Sequence, residues 1–380
     1  MPVPPLGHAP AATPVAVVLG GPSAEHDVSI VSGTAIADAL AGAGYPVECW
    51  LIDLRGGWWR LPAGHRRDGR PQSAYDEPAA LGAIGPIEAS SALEGLASRP
   101  VPPVVFIALH GPFGEDGTAQ ALCEAAGLVY TGSGVTASAI GMDKAVFKRL
   151  VRGLGLPVVD WREVRATRWT REPDAVLAEM DVFAAETGEP RLMIKPARLG
   201  SSLGMTLAHE PQERRAAIEE ALRFDDLVLV ERYVGGARDV EVSVIGNDPD
   251  ALETYGPGEI ISGHEFYDYE AKYTPGLSRT LTTANVSATE AARLRELAAA
   301  AYAAIGCEGF ARVDFLVTSA GAVISEINTI PGFTPISLFP TLPASAGYDF
   351  AAVCSRVVDL ALVRDAARIR HRLTPGDLPR

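Results

Sequence analysis

Basic residues are in deficit here. Lysine and arginine total 33 against 47 aspartates and glutamates, a formal charge of −14. That balance argues against a protein that wraps nucleic acid or lies on an anionic membrane. Any phosphate it binds needs a local basic pocket inside an acidic body. Cysteine is thin as well: Cys49, Cys123, Cys307 and Cys354 lie far apart with no CxxC pair. A zinc site is therefore not supported, and a reduced, cytoplasmic compartment is expected. No apolar run approaches the roughly 20 residues of a membrane-spanning helix, and no GxGxxG dinucleotide fingerprint occurs. The opening "MPVPPLGHAPAATP" has neither a basic nor an apolar segment, so residues 1–14 read as a disordered leader rather than a signal peptide.

What is present is a globular composition, 47% hydrophobic and 21% charged over 380 residues, with two or three domains the expectation. "VAVVLGG", "VECWLID" and "PVVFIALHG" read as buried strands, with helical patterns at Ser29–Ala43 and Thr118–Ala126 between and after them. Strands alternating with helices predict an α/β unit whose parallel sheet gathers its loops at the C-terminal strand edge. A second unit follows: helix Met142–Gly153, a strand near Pro157–Trp161, helix Pro173–Thr187, strands "RLMIKPA" and "GMTLAH", helix Pro211–Arg223 and strand "LVLVERYV". A third opens on "DVEVSVIG" and continues through helix Ala288–Ile305 and the hairpin "ARVDFLVTSAGAVISEIN" to a helix near Ala351–Ile369. The expected boundaries are 15–132, 133–234 and 235–369, with a flexible tail over 370–380.

Four stretches can carry chemistry. In the hairpin, i and i+2 share a face, so Arg312 pairs in direction with Asp314 and Glu326 with Asn328. A three-residue turn, Ser319–Gly321, sets Asp314 opposite Glu326 and Arg312 opposite Asn328. Facing carboxylates repel unless a cation lies between them, and hard oxygens suit Mg²⁺; a hairpin with one solvated polar face would carry the same pattern. In "IKPARLGSSLGMT", Lys195 ends a strand before a loop of Gly200, Ser201, Ser202 and Gly204, a composition suited to a phosphate nest or to an ordinary Gly-Ser turn. "GGPSAEHDVSIVSG" places Glu25 where a carboxylate can hold an ammonium group or favour a helix start. "IALHGPFGEDGT" contributes His110, with Glu115 and Asp116 reading as turn and helix-entry residues. Separately, "FYDYEAKY" packs four aromatics into eight residues of a chain only 7% aromatic, between Gly/Pro-rich flanks.

Together "GGPSAEHDVSIVSG", "ALHGPFGEDGTAQ", "YTGSG…MDK", "KPARLGSSLGM", "EFYDYEAKY", "ARVDF" and "EINTIPGFTPISLFP" resemble the D-alanine–D-alanine ligases of the ATP-grasp superfamily, in order and across about Val15 to Gly347. The resemblance implies an α/β, three-domain ATP-grasp architecture with ATP gripped between the second and third units. It implies a reaction in which ATP phosphorylates the carboxylate of one D-alanine and the amine of a second displaces phosphate. By motif match, Glu25 holds the first ammonium, with His110 also facing substrate. Lys144, Lys195 and the loop serines Ser201 and Ser202 hold ATP phosphates. The backbone of Glu231, Arg232, Tyr233 and Val234 meets the adenine edge, and Asp239 stands where the family carries a ribose-binding Glu. Asp314, Glu326 and Asn328 hold two Mg²⁺ (or Mn²⁺), with K⁺ a further candidate ion. Arg312 and the Gly332 N–H steady the developing oxyanion, and Ser337 and Lys272 face the second carboxylate, Lys272 also reaching ATP. "FYDYEAKY" becomes part of a lid over about 256–280, with Tyr273 hydrogen-bonded to Ser201 and through it to Glu25. A homodimer through the N-terminal domain, a cytoplasmic setting and a place in peptidoglycan precursor synthesis also follow from the resemblance.

The intact "EAKY" favours an amino acid over a hydroxy acid as second substrate. Pro335 in "FTPIS", "TLTTANVS" without a proline after the lid, and Arg232 at a hinge position depart from the common pattern. They leave open a specialised paralogue, joining D-alanine to D-serine or acting in a secondary pathway. A D-Ala-D-Lac ligase and another ATP-grasp carboxylate–amine ligase are the further alternatives, while the retained Lys195, Arg312, Asp314, Glu326 and Asn328 argue against a non-catalytic nucleotide-binding protein.

Overall fold

The computed structural model describes residues 10–267, 274 and 276–368. Three sheets organise them. The first comprises β1 (Val15–Gly20), β2 (Val47–Ile52), β3 (Trp58–Arg60), β4 (Ile84–Ile87) and β5 (Val104–Ile107), ordered β4-β3-β2-β1-β5. Strand β1 runs parallel to β2 and β5, and every one of its residues is buried, as expected of a strand covered on both faces. One side departs from the all-parallel expectation: β3 runs antiparallel to β2, and the edge strand β4 antiparallel to β3. The reason is local, because the Asp53–Gly57 turn leads straight back from β2, and Asp53 accepts from the amides of Arg55 and Gly57 and from the Trp59 indole.

The second sheet is antiparallel, with β6 (Trp161–Arg165), β7 (Leu192–Pro196), β8 (Thr206–Ala208) and β9 (Leu227–Arg232) in the order β6-β9-β7-β8. The strand expected near 157–161 begins at Trp161 instead, after a single bridge from Val158 to Ile324 of the next sheet. The third sheet holds β10 (Arg238–Ile245), β11 (Glu253–Ser262), β12 (Ser278–Leu281), β13 (Phe310–Thr318) and β14 (Gly321–Asn328), ordered β12-β11-β10-β13-β14. Helix Ala288–Ala304 packs on it, entered through a capping box of Ser287 and Glu290.

The Gly/Pro-rich stretch from about 256, expected as lid, is strand as far as Ser262, and 278–281 pairs with it. Pro257 is tolerated because the β10–β11 ladder slips register opposite it, between Glu241 and Ser243. A side chain at Gly258 would meet Leu338 and Leu342 at 3.0 and 2.9 Å, so these glycines admit a packed neighbour rather than a hinge. Residues 268–273 and 275, including Lys272 and Tyr273, lie outside the described residues, as do 1–9 of the leader and the tail.

Helices tie the sheets together. The segment around Ala137–Val158 shares one core with β10, β13 and helix Ala288–Ala304. The last helix, Phe350–Arg368, shares a core with β1 and helix His26–Gly42. Buried Arg364 of that helix donates to the carbonyls of Tyr130 and Gly132 and stacks on the Tyr130 ring at 4.4 Å. The chain thus divides by sheet at about 133 and 234, while its cores cross those points. Among the described residues no helix is long and apolar enough to cross a membrane.

Candidate active site

Strand-to-helix loops from the first sheet, the loop after β7 and one face of the third sheet converge on a cavity of about 960 Å³. Glu25, His110, Lys144, Lys195, Ser201, Ser202, Glu231, Arg232, Tyr233, Val234, Asp239, Arg312, Asp314, Glu326, Asn328, Gly332 and Ser337 all line it. The structure therefore brings together every described residue to which the resemblance gives a site role. Lys272 and Tyr273 are the two outside the description.

Glu25 ends the loop that follows β1, at the N-cap of helix His26–Gly42. The turn depends on Gly20, whose φ is +84°; a Cβ there would sit 2.4 Å from the Ile52 carbonyl. Ser201 donates its hydroxyl to Oε1 of Glu25. Oε2 is buried and makes no hydrogen bond among the described residues. Two glycines leave room for it: a Cβ at Gly111 or Gly200 would lie 2.5 or 2.6 Å from Oε2. A buried carboxylate oxygen left open costs free energy unless a cationic donor fills the place. Ser201 and Ser202 both have left-handed backbone, φ 52° and 56°. Such strain persists where contacts fix it, and Ser202 is fixed by donating to the Tyr267 carbonyl at 2.8 Å.

His110 follows β5 and is buried. Its Nδ1 lies 2.9 Å from the Ile330 carbonyl and must donate there, so Nε2 accepts from Ser32 at 2.8 Å. Burial lowers its pKa, against the nearby charge of Glu25, and the ring is neutral. Both nitrogens are engaged within the protein. Glu115, read from sequence as a turn residue, is buried in the cavity wall, accepting from the amides of Gly111 and Ile330. Burial and then Glu25 push its carboxyl up to about 8. The signal available was its place in "HGPFGEDG"; nothing local distinguishes it from a solvated turn acid.

On the third sheet Asp314 faces Glu326 and Arg312 faces Asn328, as the spacing predicts. The route differs. The turn has two residues, Ser319 and Ala320, since Thr318 pairs with Gly321, and a bulge at Ser325 restores the register between Phe315–Ile324 and Asp314–Glu326. The buried residues Ile324 and Ile327, three apart instead of two, mark that extra residue. Arg312 grips Asp314 with two bonds of 2.6 and 2.7 Å, and Asn328 donates to Asp314 at 2.9 Å. Lys144 lies 3.2 Å from Glu326 and donates to the Leu199 carbonyl at 2.9 Å. Burial alone would lower the Lys144 pKa, but Glu326, then Glu115 and Glu231, outweigh it and the net shift is upward.

Among the described residues no three His, Cys, Asp or Glu side chains form a metal cage. Two facing carboxylates and an amide nonetheless suit an ion that completes its shell with phosphate and water, as Mg²⁺ does. The residues fit the implied metal, with Arg312 and Lys144 balancing the carboxylates without it.

Lys195 ends β7 and forms an ion pair with Glu231 at 2.9 Å. The other carboxylate oxygen of Glu231 is 2.8 Å from Lys148, a fully buried residue that the sequence reading passed over. Burial depresses Lys148 to about 8, Glu231 opposing and Lys195 adding to the effect. Its only local signal is its place four residues after Lys144 on one helix. Glu231 thus contributes its side chain as well as its backbone. Beyond it, the Arg232 amide goes to the Asp160 carbonyl and the Tyr233 amide to the Arg191 carbonyl. Gly332 and Ser337 are neighbours: a Cβ on Gly332 would be 3.3 Å from the Ser337 hydroxyl, which also bonds Thr334 at 2.8 Å.

A fold that clasps a cavity between an antiparallel four-stranded sheet carrying Lys195 and Glu231 and a five-stranded one carrying Arg312, Asp314, Glu326 and Asn328 is that of the ATP-grasp ligases. Residues 14–133 match the model "D-ala D-ala ligase N-terminus" and residues 150–359 the model "D-ala D-ala ligase C-terminus". A D-alanine–D-alanine ligase of Heliobacterium modesticaldum is 40% identical, covering 96% of this chain and 98% of its own. One of Kineococcus radiotolerans is also 40% identical, over 92% and 96%. Among solved structures, the D-alanine-D-alanine ligase of Coxiella burnetii superposes with a TM-score of 0.76 at 29% identity, covering 94% and 97%. VanG D-Ala:D-Ser ligase of Enterococcus faecalis gives 0.77 at 31%, over 92% and 99%. The chain belongs to the D-alanine–D-alanine ligase family.

Proposed function

We propose that the protein condenses two D-alanines at the expense of ATP, giving the dipeptide used in peptidoglycan precursors. The observation that carries the reading is the open Oε2 of Glu25 in a cavity that also holds Lys144, Lys195, Arg312 and the Asp314–Glu326–Asn328 set. A carboxylate at neutral pH does not accept an amine; its phosphoric anhydride does, because phosphate leaves readily. The protein's task is orientation and charge neutralisation. Glu25 holds the ammonium of the first D-alanine. Lys144 and Lys195 hold the nucleotide phosphates, Glu231–Val234 and Asp239 the nucleoside. Asp314, Glu326 and Asn328 would hold two Mg²⁺, which would neutralise charge on the ATP phosphates as the terminal phosphoryl group passes to the D-alanine carboxylate. Arg312 and the Gly332 N–H steady the oxyanion as the second amine attacks, and Ser337 orients the second carboxylate. By motif match, Lys272 serves the second carboxylate and ATP and Tyr273 the Ser201–Glu25 pair, both lying outside the described residues.

We read the three sheets as the three domains, 15–132, 133–234 and 235–369. The enzyme acts in the cytoplasm as a homodimer through its first unit, where the edge strand β4 leaves Ile84 58% exposed, and K⁺ is a further candidate ion. The test is phosphate release from ATP with and without D-alanine and Mg²⁺. Release that is as fast with no amino acid, or with L-alanine, removes the reading. Mass spectrometry of products from mixed D-alanine, D-serine and D-lactate fixes the second substrate.

A further inference from the structure

The register of the third sheet sets Glu241 of β10 opposite Asp314 of β13, and Asp314 opposite Glu326 of β14, so three carboxylates form one row across adjacent strands. Glu241 is buried and lines the same cavity. It is not the third member of a metal cage, since no such cage forms among the described residues. It faces Arg312 instead. The Arg312 Nε lies 2.6 Å from Oδ1 of Asp314 and 3.2 Å from Oε2 of Glu241, while its Nη2 is 2.7 Å from Oδ2 of Asp314. One guanidinium therefore bridges two carboxylates, holding one bidentately and the other by a single longer contact.

This arrangement poses a conflict that the family motif does not reveal. Asp314 is asked both to ligate a divalent cation and to hold Arg312. A cation on Asp314 repels the guanidinium and takes its oxygens, and an arginine then lacking any partner would swing to water. We propose that Glu241 is a positioning residue that retains Arg312 in the cavity when a divalent cation claims Asp314. Lys144 and Glu326 stand in the same relation at the end of the row, 3.2 Å apart, but Lys144 also has the Leu199 carbonyl to hold it. Arg312 has Glu241 in that place. The phenol of Tyr267, packed against the Ile260, Leu338 and Leu342 cluster, is pushed up to about 12 by burial and then by the charge of Glu241.

The inference rests on the ligase reading, and its test separates the two. Wild type, Glu241→Gln and Asp314→Asn are titrated with Mn²⁺ in the presence of ADP, free Mn²⁺ being read by electron paramagnetic resonance. Initial rates are taken at saturating D-alanine. In Glu241→Gln, Arg312 has no second carboxylate to move to and Mn²⁺ must displace it into water, so Mn²⁺ binding weakens about fivefold or more, and at saturating Mn²⁺ kcat stays at least about tenfold down with KM for ATP within about twofold. Unchanged Mn²⁺ affinity overturns the proposal. Full recovery of kcat at saturating Mn²⁺ also overturns it, because Glu241 would then act through its charge alone. Glu241→Asp, which keeps the charge, carries the same titration should Glu241→Gln fail to fold, with partial losses of both quantities expected. If Asp314→Asn binds Mn²⁺ like wild type, the metal assignment itself fails, and with it both readings.

Discussion

The hydroxyl of Ser201 donates to Oε1 of Glu25 across 176 residues of sequence, joining the loop after β7 to the loop after β1. The other oxygen, Oε2, makes no hydrogen bond among the described residues, and Gly111 and Gly200 keep its space clear for the ammonium group proposed to bind there. Gly200→Ala would place a methyl group 2.6 Å from it and displace the carboxylate. Glu25→Gln removes the charge without the bulk. Both are expected to raise KM for the first D-alanine, by about 10–150-fold for Glu25→Gln, the worth of one charged hydrogen bond of about 1.5–3 kcal/mol. Nucleotide binding, measured by calorimetry, stays near wild type; a parallel loss of nucleotide affinity would place Glu25 elsewhere in the reaction.

Asp314→Asn should abolish the gain in thermal stability that Mg²⁺ plus ADP gives the wild type. Ligand binding raises Tm only through the folded state it occupies, so loss of the shift reports loss of the site. The unliganded variant should keep most of its stability, because Arg312 retains Glu241 at 3.2 Å. An undiminished ligand shift in differential scanning fluorimetry would speak against Asp314 as a metal ligand.

Glu115 gives a pH signature. Its folded carboxyl is raised to about 8 from the usual 4.5, chiefly by burial. Between those values the folded chain keeps a proton that the unfolded chain has lost, so this group makes stability fall as pH rises through about 5 to 8. Glu115→Gln is neutral throughout and should flatten that slope, raising Tm relative to wild type more at pH 8 than at pH 5. Equal differences at both pH values would mean that the carboxyl is ionised in the fold.

Lys148 shifts the other way, down to about 8 by burial. Above that pH the folded chain has given up a proton that the unfolded chain holds until about 10.5, so its contribution to stability rises with pH through that window. The functional consequence runs through Glu231. Once Lys148 is neutral, Glu231 turns its charge fully on Lys195, 2.9 Å away, and draws it from the phosphates. KM for ATP should climb between pH 7 and 9 in wild type. In Lys148→Met it should start several-fold higher and stay flat, as steady-state kinetics across that range will show.

Much of the site was legible because its signals are local. The i, i+2 spacing of Arg312 with Asp314 and of Glu326 with Asn328 fixes a shared face in any strand. The glycines around Lys195 and Glu25 mark turns wherever they fold. Even so, the Asp314–Glu326 pairing comes from a two-residue turn and a bulge at Ser325, a one-residue difference that the bulge cancels. The strand through Gly256–Pro257 was read as loop because composition reports backbone freedom and not the neighbours, here Leu338 and Leu342, that remove it.

The sequence by itself determined most of the strands and helices, though not the strand through Gly256–Pro257 or the length of the turn at Ser319–Ala320, and which side chains share a strand face, since these depend on residues a few positions apart. Only the tertiary structure decided the charge partners: Lys148 with Glu231, Glu241 with Arg312, Glu115 against Gly111 and Ile330. Those pairs span up to 215 residues. Their energies depend on burial and on distances of about 3 Å, which no spacing along the chain encodes.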